Sequence, residues 1–125
     1  ITEPCVDDSL CSYIQEKFCD RNVKIEIFQS NYEGRIIDII QNAYYEKIDG
    51  IVINPGAYTH YSYAIHDAIK SVSIPTVEVH LSDIHKREDF RKISVTVPAC
   101  VLQIYGKGKE GYVEAVEYIM KSFEK

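Results

Sequence analysis

The chain has no tryptophan and only four cysteines, and its acidic residues outnumber its basic residues. The cysteines form no C-x-x-C pair, which argues against a structural zinc site and favours reduced thiols. Lys and Arg number 14 against 19 Asp and Glu, for a net charge of −5. A nucleic-acid surface needs clustered basic residues, so we expect no nucleic-acid partner.

Long apolar runs are also lacking. The longest run is far shorter than the ~18 residues that a membrane span requires, and the first residues show no basic-then-apolar signal pattern. Together with the reduced cysteines, these absences predict a cytoplasmic protein with no membrane partner. No repeat or linker composition interrupts the 125 residues, so we expect a single domain over residues 1–125.

Apolar residues alternate between helical and strand periodicity along the chain. The predicted helices cover residues 8–20, a segment carrying Ile36, Ile37, Ile40 and Tyr44, residues 61–71 and residues 109–123. The predicted strands cover residues 23–29, 51–53, 76–80 and 95–105. Strands joined by helical crossovers form a parallel sheet. The predicted fold is an α/β, flavodoxin-like three-layer domain with a parallel sheet.

The predicted order begins with a helix, whereas a flavodoxin-like sheet begins with its central strand. Without that strand, segments 23–29 and 51–53 would have to pair directly or leave buried backbone groups unpaired. We therefore expect the first strand of the fold to be missing from this chain.

Polar side chains follow two of the predicted strands. The loop Asn54–His60 comes directly after the apolar run 51–53, and His80, Leu81 and Ser82 end the run 76–80. Ligands of open α/β sheets bind outside the carboxyl ends of the strands. Both loops are therefore expected to form one site with two imidazoles.

Several motifs, in order, resemble those of the type II 3-dehydroquinate dehydratases. They are Phe28 to Gly34, Gly50 to His60, Ile74 to Ser82, Arg87 to Arg91, and the turn Gly106-x-Gly108-x-x-Gly111-Tyr112. The resemblance covers roughly residues 23–120. It implies a flavodoxin-like enzyme, assembled as a dodecamer of trimers, that needs neither metal nor organic cofactor. Its reaction, part of the shikimate pathway, converts 3-dehydroquinate to 3-dehydroshikimate by anti elimination of water through an enolate.

The resemblance also implies roles for individual residues. His80 matches the general acid, a task that suits an imidazole because it titrates near neutral pH. The matching substrate-binding positions are Asn54, His60 and Arg91 for ring hydroxyls, Leu81 and Ser82 for the carboxylate, and Asp67 from a neighbouring subunit. The active site would then be complete only in the oligomer.

One part of the family pattern has no match. The family's first strand leads into a loop with an arginine and a tyrosine that removes the substrate proton. Here Thr2-Glu3-Pro4 stands where the family has Arg-Glu-Pro, and no such tyrosine follows. A non-catalytic homologue that binds a quinate-like acid, or only assembles, is therefore an alternative.

A phosphate or nucleotide binder of the same fold is a further alternative. The turn Gly106–Gly111 reads as the dinucleotide fingerprint G-x-G-x-x-G. That fingerprint needs a following strand with an acidic residue, whereas this chain has one helix after the turn. We therefore interpret the glycines as a tight turn.

Overall fold

A computed structural model of the chain describes residues 8–86 and 88–123, without the side chain of Asp8. The helices are α1 (Asp8–Phe18), α2 (Glu33–Tyr45), α3 (Tyr63–Val72) and α4 (Glu110–Ser122). The strands are β1 (Ile51–Ile53), β2 (Thr76–His80) and β3 (Leu102–Tyr105). Short 3-10 turns lie at Gly56–His60, Ile84–Lys86, Asp89–Arg91 and Val97–Ala99. None of the helices in these ranges is long and apolar enough to span a lipid bilayer.

The three strands form one parallel sheet in the order β1-β2-β3. Ile53, Glu78 and Gln103 lie side by side across the sheet, and His80 pairs with Tyr105. The carboxyl ends of all three strands therefore meet at one edge. The predicted α/β class with a parallel sheet is confirmed.

Helices cover both faces of the sheet and give three layers. One core joins α1 and α4 to Val77 and Val79 of β2, and the other joins α2 and α3 to Ile51 and Ile53 of β1. Side chains alternate along a strand, so Glu78 lies on the face opposite Val77 and Val79. On that face, Ser94 and Thr96 contact Glu78 near the carboxyl end of β2.

The strand predicted at 23–29 does not form. Residues 23–28 have no regular secondary structure and belong to no ladder of the described part of the chain, and Gln29 makes only an isolated bridge. Val23, Ile25 and Ile27 still pack against the core of α1 and α4. The alternation of apolar and polar residues correctly predicted that one side of this segment packs against the core. A strand, however, also requires a hydrogen-bonded neighbour. Whether a further strand belongs to the fold stays a prediction, and Thr2-Glu3-Pro4 lies outside the described residues.

The strand predicted at 95–105 is shorter than expected. Only Leu102–Tyr105 pairs with β2, and Val97–Ala99 forms a 3-10 turn. Pro98 cannot donate a ladder hydrogen bond, and Ser94 Oγ accepts from the Val97 amide at 3.0 Å. Local hydrogen bonds of this kind compete with sheet pairing, which turns the chain before β3 begins.

Candidate active site

A histidine–glutamate pair lies at the carboxyl end of β2. His80 Nε2 is 2.8 Å from Glu78 Oε2, and the two side chains are 6% and 0% exposed. They are two residues apart on a regular strand and therefore share a face. Because a carboxylate oxygen only accepts, the His80 nitrogen that contacts it is the one that carries the hydrogen.

Hydrogen-bond donors surround Glu78. Gln103 Nε2 donates to Oε2 at 2.8 Å, Ser94 Oγ donates to Oε2 at 2.9 Å, and the Thr96 hydroxyl donates to Oε1. Burial alone would raise the pKa of this carboxyl group. The hydrogen bonds from His80, Thr96 and Gln103, with the charge of His80, outweigh burial and lower its pKa. Glu78 is thus held as a buried carboxylate.

Asn54 follows β1 directly and lies at the carboxyl edge of the sheet, where His80 ends β2. Its side chain is buried; its Oδ1 accepts from the Gly56 amide at 3.0 Å, and its Nδ2 donates to Tyr112 Oη at 2.9 Å. An amide nitrogen carries two hydrogens, so Asn54 can donate one more hydrogen bond while these contacts hold its orientation.

His60 ends the 3-10 turn that follows Asn54. Its Nδ1 lies 2.7 Å from the Ile93 carbonyl oxygen, so Nδ1 carries the hydrogen and Nε2 of the neutral ring is an acceptor. The Val95 amide also donates to the Thr59 carbonyl oxygen at 2.7 Å. These two bonds join the loop after β1 to the segment before Val97.

Leu81 and Ser82 follow His80 and are exposed. The Leu81 carbonyl oxygen accepts from the Gly108 amide at 3.1 Å, and Gly108 has a left-handed φ of 57°. The glycine turn thus packs against the end of β2. Gly108 and Gly106, with a φ of 74°, adopt conformations that favour glycine, as the interpretation of a tight turn requires.

Arg91 lies in a 3-10 turn that packs against the turn of His60. Its Nε is 3.3 Å from Glu88 Oε2, and its guanidinium carbon lies 4.9 Å from the centre of the Phe90 ring. An ion pair this exposed contributes little. The neighbouring motif residue Arg87 lies outside the described residues.

The structure brings Asn54, His60, Leu81 and Ser82 to the edge of the sheet that carries His80, with the turn of Arg91 beside them. Asp67 is different, because it lies on α3 with a side chain that is 79% exposed and 3.0 Å from Nδ1 of its neighbour His66. Within the chain, the side chain of Asp67 thus contacts His66, which is not one of the predicted site residues.

The sequence did not predict the residues that are hydrogen-bonded to His80, either directly or through Glu78. They are Glu78, Thr59, Ser94, Thr96 and Gln103, all of which belong to one hydrogen-bonded cluster. The Glu-x-His spacing on a strand was a usable signal for Glu78. The hydroxyl residues carried no local signal, because they meet Glu78 only through the fold. The described residues contain no group of three or more His, Cys, Asp or Glu that could hold a metal ion.

Comparisons with known proteins identify the family of this chain. The family model described as dehydroquinase class II matches residues 6–120. A 3-dehydroquinate dehydratase from Clostridium beijerinckii is 61% identical over 110 residues, which are 88% of this chain and 75% of that protein. Another from Fusobacterium nucleatum is 58% identical over 120 residues, 94% of this chain and 82% of that protein.

A solved structure agrees as well. The crystal structure of the type II dehydroquinase from Butyrivibrio crossotus superposes with a TM-score of 0.89 at 54% identity, covering 90% of this chain and 79% of that one. The family resemblance carried by the sequence motifs is thus confirmed. The chain belongs to the class II dehydroquinase family.

Proposed function

We propose that this chain is a 3-dehydroquinate dehydratase that eliminates water from 3-dehydroquinate in the anti sense, through an enolate, to give 3-dehydroshikimate. The observation that carries the proposal is the buried His80–Glu78 pair at the carboxyl end of β2, with Nε2 and Oε2 at 2.8 Å, in a chain of this family. The reaction needs an acid where the hydroxyl leaves, and this pair can supply one.

His80 acts as the general acid. Glu78 accepts the hydrogen on Nε2, so the proton to be transferred sits on Nδ1 when the ring carries both protons. The bond between a ring carbon of the enolate and the leaving hydroxyl then breaks. Nδ1 gives its proton to that hydroxyl, which departs as water. The hydrogen bond to Glu78 also fixes the orientation of the ring and the nitrogen that faces the substrate.

The polar groups around His80 bind the substrate. Asn54, through its second amide hydrogen, His60, through Nε2, and Arg91 hold ring hydroxyls. The exposed turn at Leu81 and Ser82 receives the carboxylate on backbone amides, because consecutive N–H groups attract an anion. No metal or organic cofactor is part of the proposal.

Oligomerisation completes the site in this proposal. The chain forms trimers, assembled as a dodecamer, in which Asp67 of one subunit reaches the substrate of the next. The exposure of Asp67, 79% in one chain, supports this arrangement. A cytoplasmic location stays a prediction from the cysteine pattern.

A binding-only homologue is the second candidate. It is favoured by one specific observation, that Thr2 stands where the family motif has an arginine, and Tyr13, the first tyrosine after it, lies inside α1. Such a protein would bind quinate-like acids without turning over 3-dehydroquinate.

The test is His80→Asn, measured by formation of the conjugated enone of the product at a series of substrate concentrations. We expect kcat to fall by ~10²- to 10⁴-fold, the usual contribution of a general acid, with a much smaller change in KM. Glu78→Gln keeps the shape of the side chain but removes its charge, and should cause a smaller loss.

Binding supplies the control for folding. His80→Asn should still be stabilised against heat by an unreactive quinate-like acid, because a ligand of the native state raises its stability. Unchanged turnover in His80→Asn would contradict the assignment. Binding without turnover in the parent chain would favour the second candidate.

A further inference from the structure

Three buried or half-buried hydroxyls form a cluster next to Glu78, and two of them donate to its carboxylate. They are Thr59, Ser94 and Thr96, here called the hydroxyl triad. Thr59 Oγ1 lies 2.7 Å from Ser94 Oγ and 2.8 Å from Thr96 Oγ1, and Ser94 Oγ lies 3.1 Å from Thr96 Oγ1. Thr59 and Thr96 are 0% exposed.

The direction of these hydrogen bonds follows from the number of hydrogens. Each hydroxyl has one hydrogen, and an ionised carboxylate only accepts. Ser94 and Thr96 therefore direct theirs to Glu78. Thr59 then donates to one of these two at a time. A hydroxyl that accepts a hydrogen bond becomes a stronger donor, so Thr59 strengthens the donors to Glu78 without touching it.

The triad also joins the two segments that carry predicted substrate contacts. Thr59 precedes His60, and Ser94 follows Ile93, whose carbonyl oxygen accepts from His60 Nδ1 at 2.7 Å. One bonded unit therefore links the imidazole proposed to bind the substrate with the carboxylate behind the proposed acid.

We propose that the hydroxyl triad positions His80 for catalysis by holding Glu78 as an ionised, oriented carboxylate. Thr96 and Ser94 act as direct donors and Thr59 supports them. The kinetic part of this inference rests on the proposed dehydratase function. The part about Glu78 does not, because it concerns the protein without substrate.

Few other groups near Glu78 can titrate. His80 shares its strand, and the neighbour Gln103 on β3 is a neutral amide. Cys100 lies at the end of the 3-10 turn Val97–Ala99. Burial, and to a smaller extent the charge of Glu78, raises the pKa of its thiol to about 12. Of the described side chains that hydrogen-bond to Glu78, His80 is the one with an ionisable group.

The test is Thr96→Val, which keeps the shape of the side chain but removes its donor to Glu78. The first readout is the pH titration of the Glu78 carboxyl carbon, followed by 13C NMR in the protein without substrate. Loss of a donor favours the protonated acid, so we expect the midpoint to rise by about one pH unit, the size typical of a charge-assisted hydrogen bond. Thr96→Ser should restore it.

The second readout is the pH profile of kcat with 3-dehydroquinate. The pKa of Glu78 is lowered in the native chain, and Thr96→Val raises it, so the acid limb of the profile should move to higher pH. We expect KM to change by less than about twofold, because uniform binding is not affected.

Thr76→Val is the matched control. Thr76 is also 0% exposed, but its hydroxyl donates to the Ile74 carbonyl oxygen at 2.9 Å, at the other end of β2. Thr76→Val should lower the free energy of unfolding without moving the Glu78 titration midpoint or the acid limb of the kcat profile. Thr59→Val, which leaves both direct donors in place, should give a smaller rise than Thr96→Val and serves if that variant fails to fold.

An unchanged Glu78 midpoint in Thr96→Val, or in Thr59→Val if Thr96→Val does not fold, would overturn the inference. A shift of the same size in Thr76→Val would also overturn it. If the parent chain does not turn over 3-dehydroquinate, the proposed function fails, and the NMR titration still decides whether the triad holds Glu78 ionised.

Discussion

A buried carboxylate is costly unless hydrogen bonds replace the lost water. Glu78 meets this requirement, because His80, Ser94, Thr96 and Gln103 all donate to its two oxygens. Among the described residues, no buried side-chain polar atom lacks a partner. The cluster therefore stabilises the Glu78 carboxylate inside the domain, where it contacts His80.

The same charge acts on a second residue, Cys100. Burial and the charge of Glu78 raise its thiol pKa to about 12. The thiolate is the form that reacts with alkylating reagents. At pH 8 we expect iodoacetamide to modify Cys100 about 10³-fold more slowly than a thiol of ordinary pKa, measured by mass spectrometry of peptides over time.

Cys19 provides the comparison within the chain because it is exposed. It should react fast in the native protein, and Cys19→Ser should remove that fast phase. In guanidinium chloride Cys19 and Cys100 should react alike. Equal rates for the two thiols in the native protein would contradict the environment described for Cys100.

At the scale of elements, the contact of α4 with the start of β1 depends on a glycine. A Cβ atom built on Gly50 would lie 2.4 Å from Ile119 Cγ2 of α4. The helix can approach this closely only because Gly50 has no side chain. Overpacking of this kind typically costs about 1–3 kcal/mol.

Gly50→Ala should accordingly lower the free energy of unfolding by about 1–3 kcal/mol, measured by urea denaturation. Gly34→Ala is the matched control, because a Cβ there meets nothing within 4 Å and Gly34 lies in α2. It should be neutral or stabilising by up to about 1 kcal/mol, from the better helix propensity of alanine. Similar losses in both variants would show that the Ile119 contact is not the cause.

At the scale of the whole molecule, the proposed oligomer makes a prediction about mixed subunits. His80 and Asp67 would then come from different chains in each active site. His80→Asn and Asp67→Ala should each be poorly active alone. Refolding them together at equal amounts should restore both intact residues in about a quarter of the sites, as random mixing in a symmetric ring requires, measured as turnover per subunit.

Asp38→Ala is the matched control for Asp67→Ala, because Asp38 is an exposed aspartate of the neighbouring helix α2. It should retain full activity alone. Mixtures of His80→Asn and Asp67→Ala that show only the average of their parents would contradict a site shared between subunits.

The sequence by itself determined the layers, the parallel sheet, the family and the residues at the carboxyl ends of β1 and β2. These features depend on local periodicity and on motifs that follow directly in the chain. His80 and Asn54 could be placed at the edge of the sheet because each stands where an apolar run ends.

The tertiary structure alone decided which residues surround Glu78 and which strands exist. Thr59, Thr96 and Gln103 are separated from Glu78 by 18 or more positions along the chain, and only folding brings them into one hydrogen-bonded cluster with it. Residues 23–28 have the alternation of a strand but no paired neighbour in the described chain, and a ladder is a property of two segments. Hydrogen bonds between distant residues leave no periodic pattern, so the chemistry behind His80 became visible only in three dimensions.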